Sequence, residues 1–260
     1  MRIQQSLCYP MYQDRGTPLD DLCRAVAQIG YRAIELWGWD QTLGEIVETA
    51  RRHGLVVASM CGHASLGDGL NKGENHERIE GELVRSIERA AELGIPGLIC
   101  FSGNRHPGQS DLAGMVVCAQ GLRRVVRLAE EKGVNLNVEL LNSRVDHPGY
   151  QCDHTDWGLA LCEMVGSPRV RLLYDIYHMQ IMEGDVIRHI RRAIHRIGHF
   201  HTAGNPDRRD MDDQQELNYR GICSAIAATG YDLYVGHEFR PKGDKIEALR
   251  TAFTLCDQEG

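Results

Sequence analysis

The stretch Gly133–Asp175, GVNLNVELLNSRVDHPGYQCDHTDWGLALCEMVGSPRVRLLYD, holds one complete repeat of the architecture. It opens on a glycine of the kind that ends a helix and enters a β-rich segment, NLNVELL (Asn135–Leu141). An amphipathic stretch closed by Gly166 follows, and then a second β-rich segment, VRLLYD (Val170–Asp175). Two strands joined through a helix lie parallel, because a crossover of that length returns the chain to the same end of the sheet. Each of these strands also carries an acid, Glu139 in the first and Asp175 at the end of the second. A core strand should be apolar, so both acids are candidates for function.

Working outward in both directions, the same alternation recurs. Further strands are predicted at Ile3–Tyr9, Ala33–Trp37, Val56–Gly62, Gly97–Gly103, Ile197–Ala203 and Leu233–Phe239, which makes eight. Between them the helical period predicts helices over Leu19–Ile29, Leu43–His53, His76–Leu93, Leu112–Lys132 and Val186–His195, with Gly30, Gly54, Gly94 and Gly133 just past helix ends. Eight strands in 260 residues leave about 32 residues per unit, which predicts a single (β/α)8 TIM barrel over residues 1–260 rather than an open doubly wound sheet. No GxGxxG follows any of the strands, which argues against a dinucleotide site. There is no linker, low-complexity tract or sequence repeat, and the longest loop-like segment, Asn205–Asn218, follows strand seven.

Composition narrows the function further. Thirty-six acidic against 29 basic side chains, a net charge of −7, offer no global attraction to phosphate, so no nucleic-acid partner is expected. No window reaches the apolar length of a membrane span, and the start MRIQQSLCYP has no basic flank leading into an apolar run; a cytoplasmic protein with no membrane partner is expected. The nine cysteines are odd in number and form no CxxC pair, so they read as reduced, mostly buried thiols. Trp37, Trp39 and Phe101 fall at or near strand ends, where they could wall a site, although packing is their commoner fate.

Four successive strands break the apolar rule. Glu139, Asp175, His201 and Glu238 follow one another at intervals of 36, 26 and 37 residues, close to one βα unit each, and all fall toward the C-terminal ends of their strands, where this fold places its chemistry. Three carboxylates brought together raise one another's pKa unless a cation intervenes. Three oxygen donors and one imidazole suit a divalent ion such as Mn²⁺, Mg²⁺ or Co²⁺, with Zn²⁺ kept as an alternative. The competing reading pairs Glu139 and Glu238 with Arg144 or Arg240 and makes His201 a core histidine. Alternation along IGHFHTA puts His199 and His201 on one face, with His201 nearer the mouth, and sends His237 and Glu238 to opposite faces. His63, at the end of strand three, precedes a loop-like run and is a candidate substrate contact.

At these residues the sequence resembles the xylose-isomerase-like TIM barrels and, among them, the hydroxypyruvate isomerase family. The segments that carry the likeness are VELLNSRVDHPGY (Val138–Tyr150), LLYDIYHMQIMEGD (Leu172–Asp185), IGHFHTAGNPDR (Ile197–Arg208), ELNY (Glu216–Tyr219), GHEFRPKGD (Gly236–Asp244) and, in the first half, IGYRAIELW (Ile29–Trp37). The resemblance implies that Glu139, Asp175, His201 and Glu238 are the metal ligands, that Glu139 and Glu238 double as the acid/base pair, and that His178 contacts substrate oxygens. The chain departs from the family in having His201 where hydroxypyruvate isomerases can carry Gln, and Pro206-Asp207-Arg208-Arg209 where the family has PGR.

On this reading a divalent ion draws charge from an α-hydroxy carbonyl substrate, one glutamate removes the carbon-bound proton, and return of a proton to the neighbouring carbon isomerises an aldehyde and a ketone through an enediolate. Return to the opposite face of the same carbon gives a ketose 3-epimerase instead. A small acid such as hydroxypyruvate needs a cation, to be sought among Arg208, Arg209, Arg240 and Lys242. Rivals from other classes are a metal-free carbohydrate-binding barrel, dehydration of an inosose-like substrate, and a DNA-repair endonuclease. The last would need more early-strand ligands than His63 and His106 supply. A homo-oligomer is left open.

Overall fold

The computed structural model describes residues 2–13 and 16–259. Eight strands close into a parallel barrel in chain order: β1 Gln4–Cys8, β2 Ala33–Leu36, β3 Val56–Cys61, β4 Gly97–Cys100, β5 Asn135–Glu139, β6 Val170–Asp175, β7 Ile197–Thr202 and β8 Tyr234–His237. Each lies inside a predicted segment, and β8 pairs back onto β1. The helices are α1 Leu19–Ile29, α2 Leu43–Arg52, α3 His76–Leu93, α4 Asp111–Arg123, α5 Val126–Lys132, α6 Thr155–Val165, α7 Ile176–Met182, α8 Val186–Ala193, α9 Tyr219–Ala227 and α10 Lys245–Cys256.

Gly94, Gly133 and Gly166 cap α3, α5 and α6 in the left-handed conformation, turning the chain from helix into the next strand. The single helix expected over Leu112–Lys132 is instead two. Val125, at φ −118° and ψ −9°, lies at the edge of the helical region and buries its side chain, and the helix is interrupted there between α4 and α5.

Strand register sets the level of the polar residues. Asp175 lies opposite His201, and His201 opposite Gly236, two residues before Glu238; Glu139 lies opposite Leu173, two residues before Asp175. Barrel strands tilt by roughly 36°, so residues staggered by one pleat on neighbouring strands reach similar height above the barrel floor. Phe200, between the two histidines, faces outward and packs edge-on against Tyr174 and Tyr231. His237 likewise points out of the barrel, to Thr202 Oγ1 at 2.7 Å and Gln5 Oε1 at 2.9 Å. Eight of the nine cysteines are buried, Cys61 is partly so, and all are free thiols. No described helix is long and apolar enough to cross a membrane.

Candidate active site

Ligand atoms of Glu139, Asp175, His201 and Glu238 all lie within 4.8 Å of one another at the mouth of the barrel, and all four side chains are buried. The competing pairing with Arg144 or Arg240 is absent among the described residues. Arg144 is exposed and donates to the Ile181 carbonyl, while the Arg240 side chain is exposed and pairs with neither glutamate. The acids meet instead around His201, whose Nδ1 is 3.0 Å from Glu238 Oε2 and 3.3 Å from Glu139 Oε1.

Local structure holds each acid. Asp175 ends β6 and caps α7, its Oδ1 accepting from the His178 N–H at 3.1 Å. Oδ2 is left toward the cluster, 3.7 Å from Arg208. Glu238 Oε1 accepts from the Trp37 indole at 2.8 Å, and its Oε2 pairs with the Arg208 guanidinium. Arg208 reaches this position because Asp207 and Arg208 are both left-handed (φ +77° and +55°), unusual for residues with a Cβ, and the loop is tied down by the Arg240 N–H to the Arg208 carbonyl.

Burial and charge compete here. Burial pushes the Asp175 carboxyl well up, with Glu238 and Glu139 adding to it and Arg208 and His201 opposing. Burial acts the same way on Glu238, but there Arg208, His201 and the Trp37 indole win and hold it well below the usual carboxylate range. For His201 burial favours the neutral ring, yet the surrounding carboxylates of Glu238, Glu139 and Glu35 raise its pKa well above the ordinary value.

Two other histidines are neutral donors with one tautomer each. Burial lowers His63 to about 4. Its Nε2 accepts from the Phe101 N–H at 2.9 Å, so Nδ1 carries the proton, and that nitrogen is buried without a hydrogen-bond partner among the described residues. Burial also lowers His178, with Arg208 and His147 adding to the effect. Asn142 Oδ1 accepts two backbone N–H groups, from Val145 and Asp146 at 2.9 Å, which points its amide NH2 at His178 Nδ1, 2.6 Å away. His178 Nε2 therefore carries the proton, 3.5 Å from Asp175 Oδ2.

The cluster opens into a cavity of about 330 Å³ lined by Glu139, His201, Arg208, Glu238, His63 and His147 among apolar residues that include Trp37, Ile99, Phe101 and Leu141. Of the four cations considered from sequence, Arg208 alone lines it. Arg209 donates to the Arg240 carbonyl, Lys242 pairs with Asp212 at 2.7 Å, and the Arg240 side chain stays outside. His178 lies behind Asp175 and is not part of the lining. A larger hollow of about 660 Å³ lies apart from the acids, between Met211–Arg220 and α10.

One buried acid beside the cluster escaped the sequence reading. Glu35, in the middle of β2, is fully buried and forms a second cluster with His199 and His201. The available signal was a lone carboxylate in the apolar run AIEL (Ala33–Leu36).

Residues 23–255 match the family described as xylose isomerase-like TIM barrel. Among curated relatives, a 2-oxo-tetronate isomerase of Cupriavidus necator is 32% identical over 238 residues, covering 88% of this chain and 90% of the relative. The hydroxypyruvate isomerase of Escherichia coli is 27% identical over 231 residues, covering 86% and 88%. The crystal structure of an AP endonuclease, family 2, from Brucella melitensis superposes with a TM-score of 0.81 at 23% identity over 98% of both chains, a likeness of fold alone. By its barrel, its family match and its similarity to two isomerases, the chain is an isomerase and belongs to the xylose isomerase-like TIM-barrel family.

Proposed function

We propose that this isomerase is metal-dependent and interconverts an α-hydroxy aldehyde and the corresponding ketone through an enediolate, acting on a short hydroxy-keto acid of the hydroxypyruvate or 2-oxo-tetronate type. The observation that carries the reading is the convergence of three buried carboxylates and one imidazole at one point, two of the carboxylates and the imidazole lining a cavity in which Arg208 is the one guanidinium among the described residues.

The donor set fits a divalent cation. Four buried acids, counting Glu35, face Arg208 and the imidazoles of His199 and His201, and three of them crowd one point. Glu139, Asp175, His201 and Glu238 would hold Mn²⁺, Mg²⁺ or Co²⁺, with Zn²⁺ as the alternative. A bound ion would supply Lewis acidity toward the substrate oxygens.

The chain's own groups divide the remaining work. One of Glu139 and Glu238 takes the proton from the hydroxyl-bearing carbon; the same or the other returns a proton to the neighbouring carbon while the hydroxyl proton passes to the former carbonyl oxygen. Both line the cavity, and Arg208, His201 and the Trp37 indole favour the ionised form of Glu238. Arg208 Nε is a buried donor with no hydrogen-bond partner among the described residues, suited to a carboxylate, and His63 Nδ1–H offers a neutral donor on the cavity wall. The apolar remainder of the wall favours a small substrate over a ketohexose, whose distal hydroxyls would lack partners.

Purified protein supplied with Mn²⁺ or Mg²⁺ should convert hydroxypyruvate to tartronate semialdehyde, followed by NMR, and Glu139→Gln or Glu238→Gln should each lower kcat by about 10²- to 10⁴-fold. Epimerisation of a free ketose with no turnover of hydroxypyruvate or 2-oxo-tetronate would sink the substrate assignment.

A further inference from the structure

Beneath His201 lies an arrangement that the proposed chemistry has not used. Glu35 Oε2 accepts from His201 Nε2 at 3.0 Å, and His199 Nε2 lies 2.8 Å from the same oxygen, off the line of a hydrogen bond. Glu35 Oε1 accepts from the Ser6 hydroxyl. On the β8 side Gly236 closes the cradle, and any Cβ there would collide with Glu35 Oε1. The carboxylate is therefore clamped from β1, β7 and β8, with no exposure to solvent. Ser6 lies opposite Gly236 in the strand register, and Cys8 opposite Glu35, so the clamp is built into the closure of the barrel.

We infer that Glu35 is a positioning residue that fixes the ring of His201 so that Nδ1 is the atom offered to a divalent cation held with Glu139, Asp175 and Glu238. An ionised carboxylate only accepts, so the imidazole nitrogen facing it must be the one that keeps its hydrogen. The opposite nitrogen, Nδ1, then faces Glu238 and Glu139 with its lone pair available once a cation replaces its proton. A carboxylate behind a ligating imidazole orients the ring and strengthens it as a donor, an effect that typically changes metal affinity 10- to 100-fold. Direct ligation by Glu35 at the same ion is disfavoured by the geometry, because its oxygen sits on the far side of the His201 ring. The inference rests on the metal-dependent reading of the site.

The test is Mn²⁺ affinity by calorimetry and the visible spectrum of the Co²⁺-loaded protein, for wild type, Glu35→Gln and Ser6→Ala. Glu35→Gln should bind Mn²⁺ about 10- to 100-fold more weakly, while its Co²⁺ bands shift as the imidazole reorients. Ser6→Ala keeps the charge but frees one carboxylate oxygen, and should weaken binding by a few-fold. It decides the matter if Glu35→Gln does not fold. Wild-type binding with unchanged affinity and spectrum in the variants would overturn the role of Glu35 and leave the metal-dependent reading standing. Failure of the wild type to bind any of these ions would overturn both.

Discussion

At the residue scale, the polar group packed against each buried histidine, a backbone N–H for His63 and side chains for His178 and His201, decides which ring nitrogen carries hydrogen. His237 shows the cost of keeping such a ring neutral: burial lowers its pKa to about 3, and its two nitrogens are fully engaged by Thr202 and Gln5. Between pH 6.5 and about 3 the unfolded chain binds a proton at this position and the folded chain does not, so folding stability falls as pH drops through that window. Urea unfolding should show a loss from pH 6 to 5 that is smaller by about 1 kcal/mol in His237→Gln than in wild type; equal losses would mean that His237 titrates normally. Arg208 makes a second prediction. Arg208→Lys cannot keep the pairing with Glu238 and also offer a planar donor pair to a substrate carboxylate, so kcat/KM on hydroxypyruvate should fall by about 10- to 100-fold. A fall matched on an uncharged α-hydroxy carbonyl would assign Arg208 to holding Glu238 instead.

The loops at the mouth are as tightly specified as the strands. After β3 the chain runs beside the extension of β4, with Leu70 and Asn71 donating to the Phe101 and Ser102 carbonyls and Asn104 donating back to Gly67. This pairing requires glycine at the crossing: a Cβ on Gly69 would lie 2.5 Å from the Gly103 nitrogen and 2.6 Å from the Phe101 carbonyl oxygen. Gly103 itself is left-handed at φ +93°. Because Phe101 also donates its N–H to His63, pushing these segments apart would disturb the cavity wall. Gly69→Ala should therefore destabilise the fold by about 1–3 kcal/mol in chemical denaturation and raise KM; a variant with unchanged stability would show that the two loops are free to separate. The sequence marks this segment as loop-like, but alternation and helical period say nothing about two loops crossing, a contact that only the tertiary structure creates.

For the whole molecule, closure of the barrel makes neighbours of residues far apart in sequence, and a cation at the mouth would tie β5, β6, β7 and β8 together. A divalent ion at 100 times its dissociation constant should add about 2.7 kcal/mol of stability, which for a chain of this size raises Tm by roughly 5–10 °C, reversed by chelator. A melting temperature indifferent to Mn²⁺, Mg²⁺, Co²⁺ and Zn²⁺ would count against the metal reading. What the sequence determined by itself was the periodicity: eight strands, their order, and the inward faces of Glu139, Asp175, His201 and Glu238, because strand alternation and βα spacing are local properties of the chain. Arg208 as the member of the four candidate cations that lines the cavity, the neutral forms of His63 and His178, and Glu35 under His201 were decided only by tertiary structure. Each depends on a side chain meeting a group from a distant strand or loop, and the partner that sets its charge or tautomer is chosen when the barrel closes.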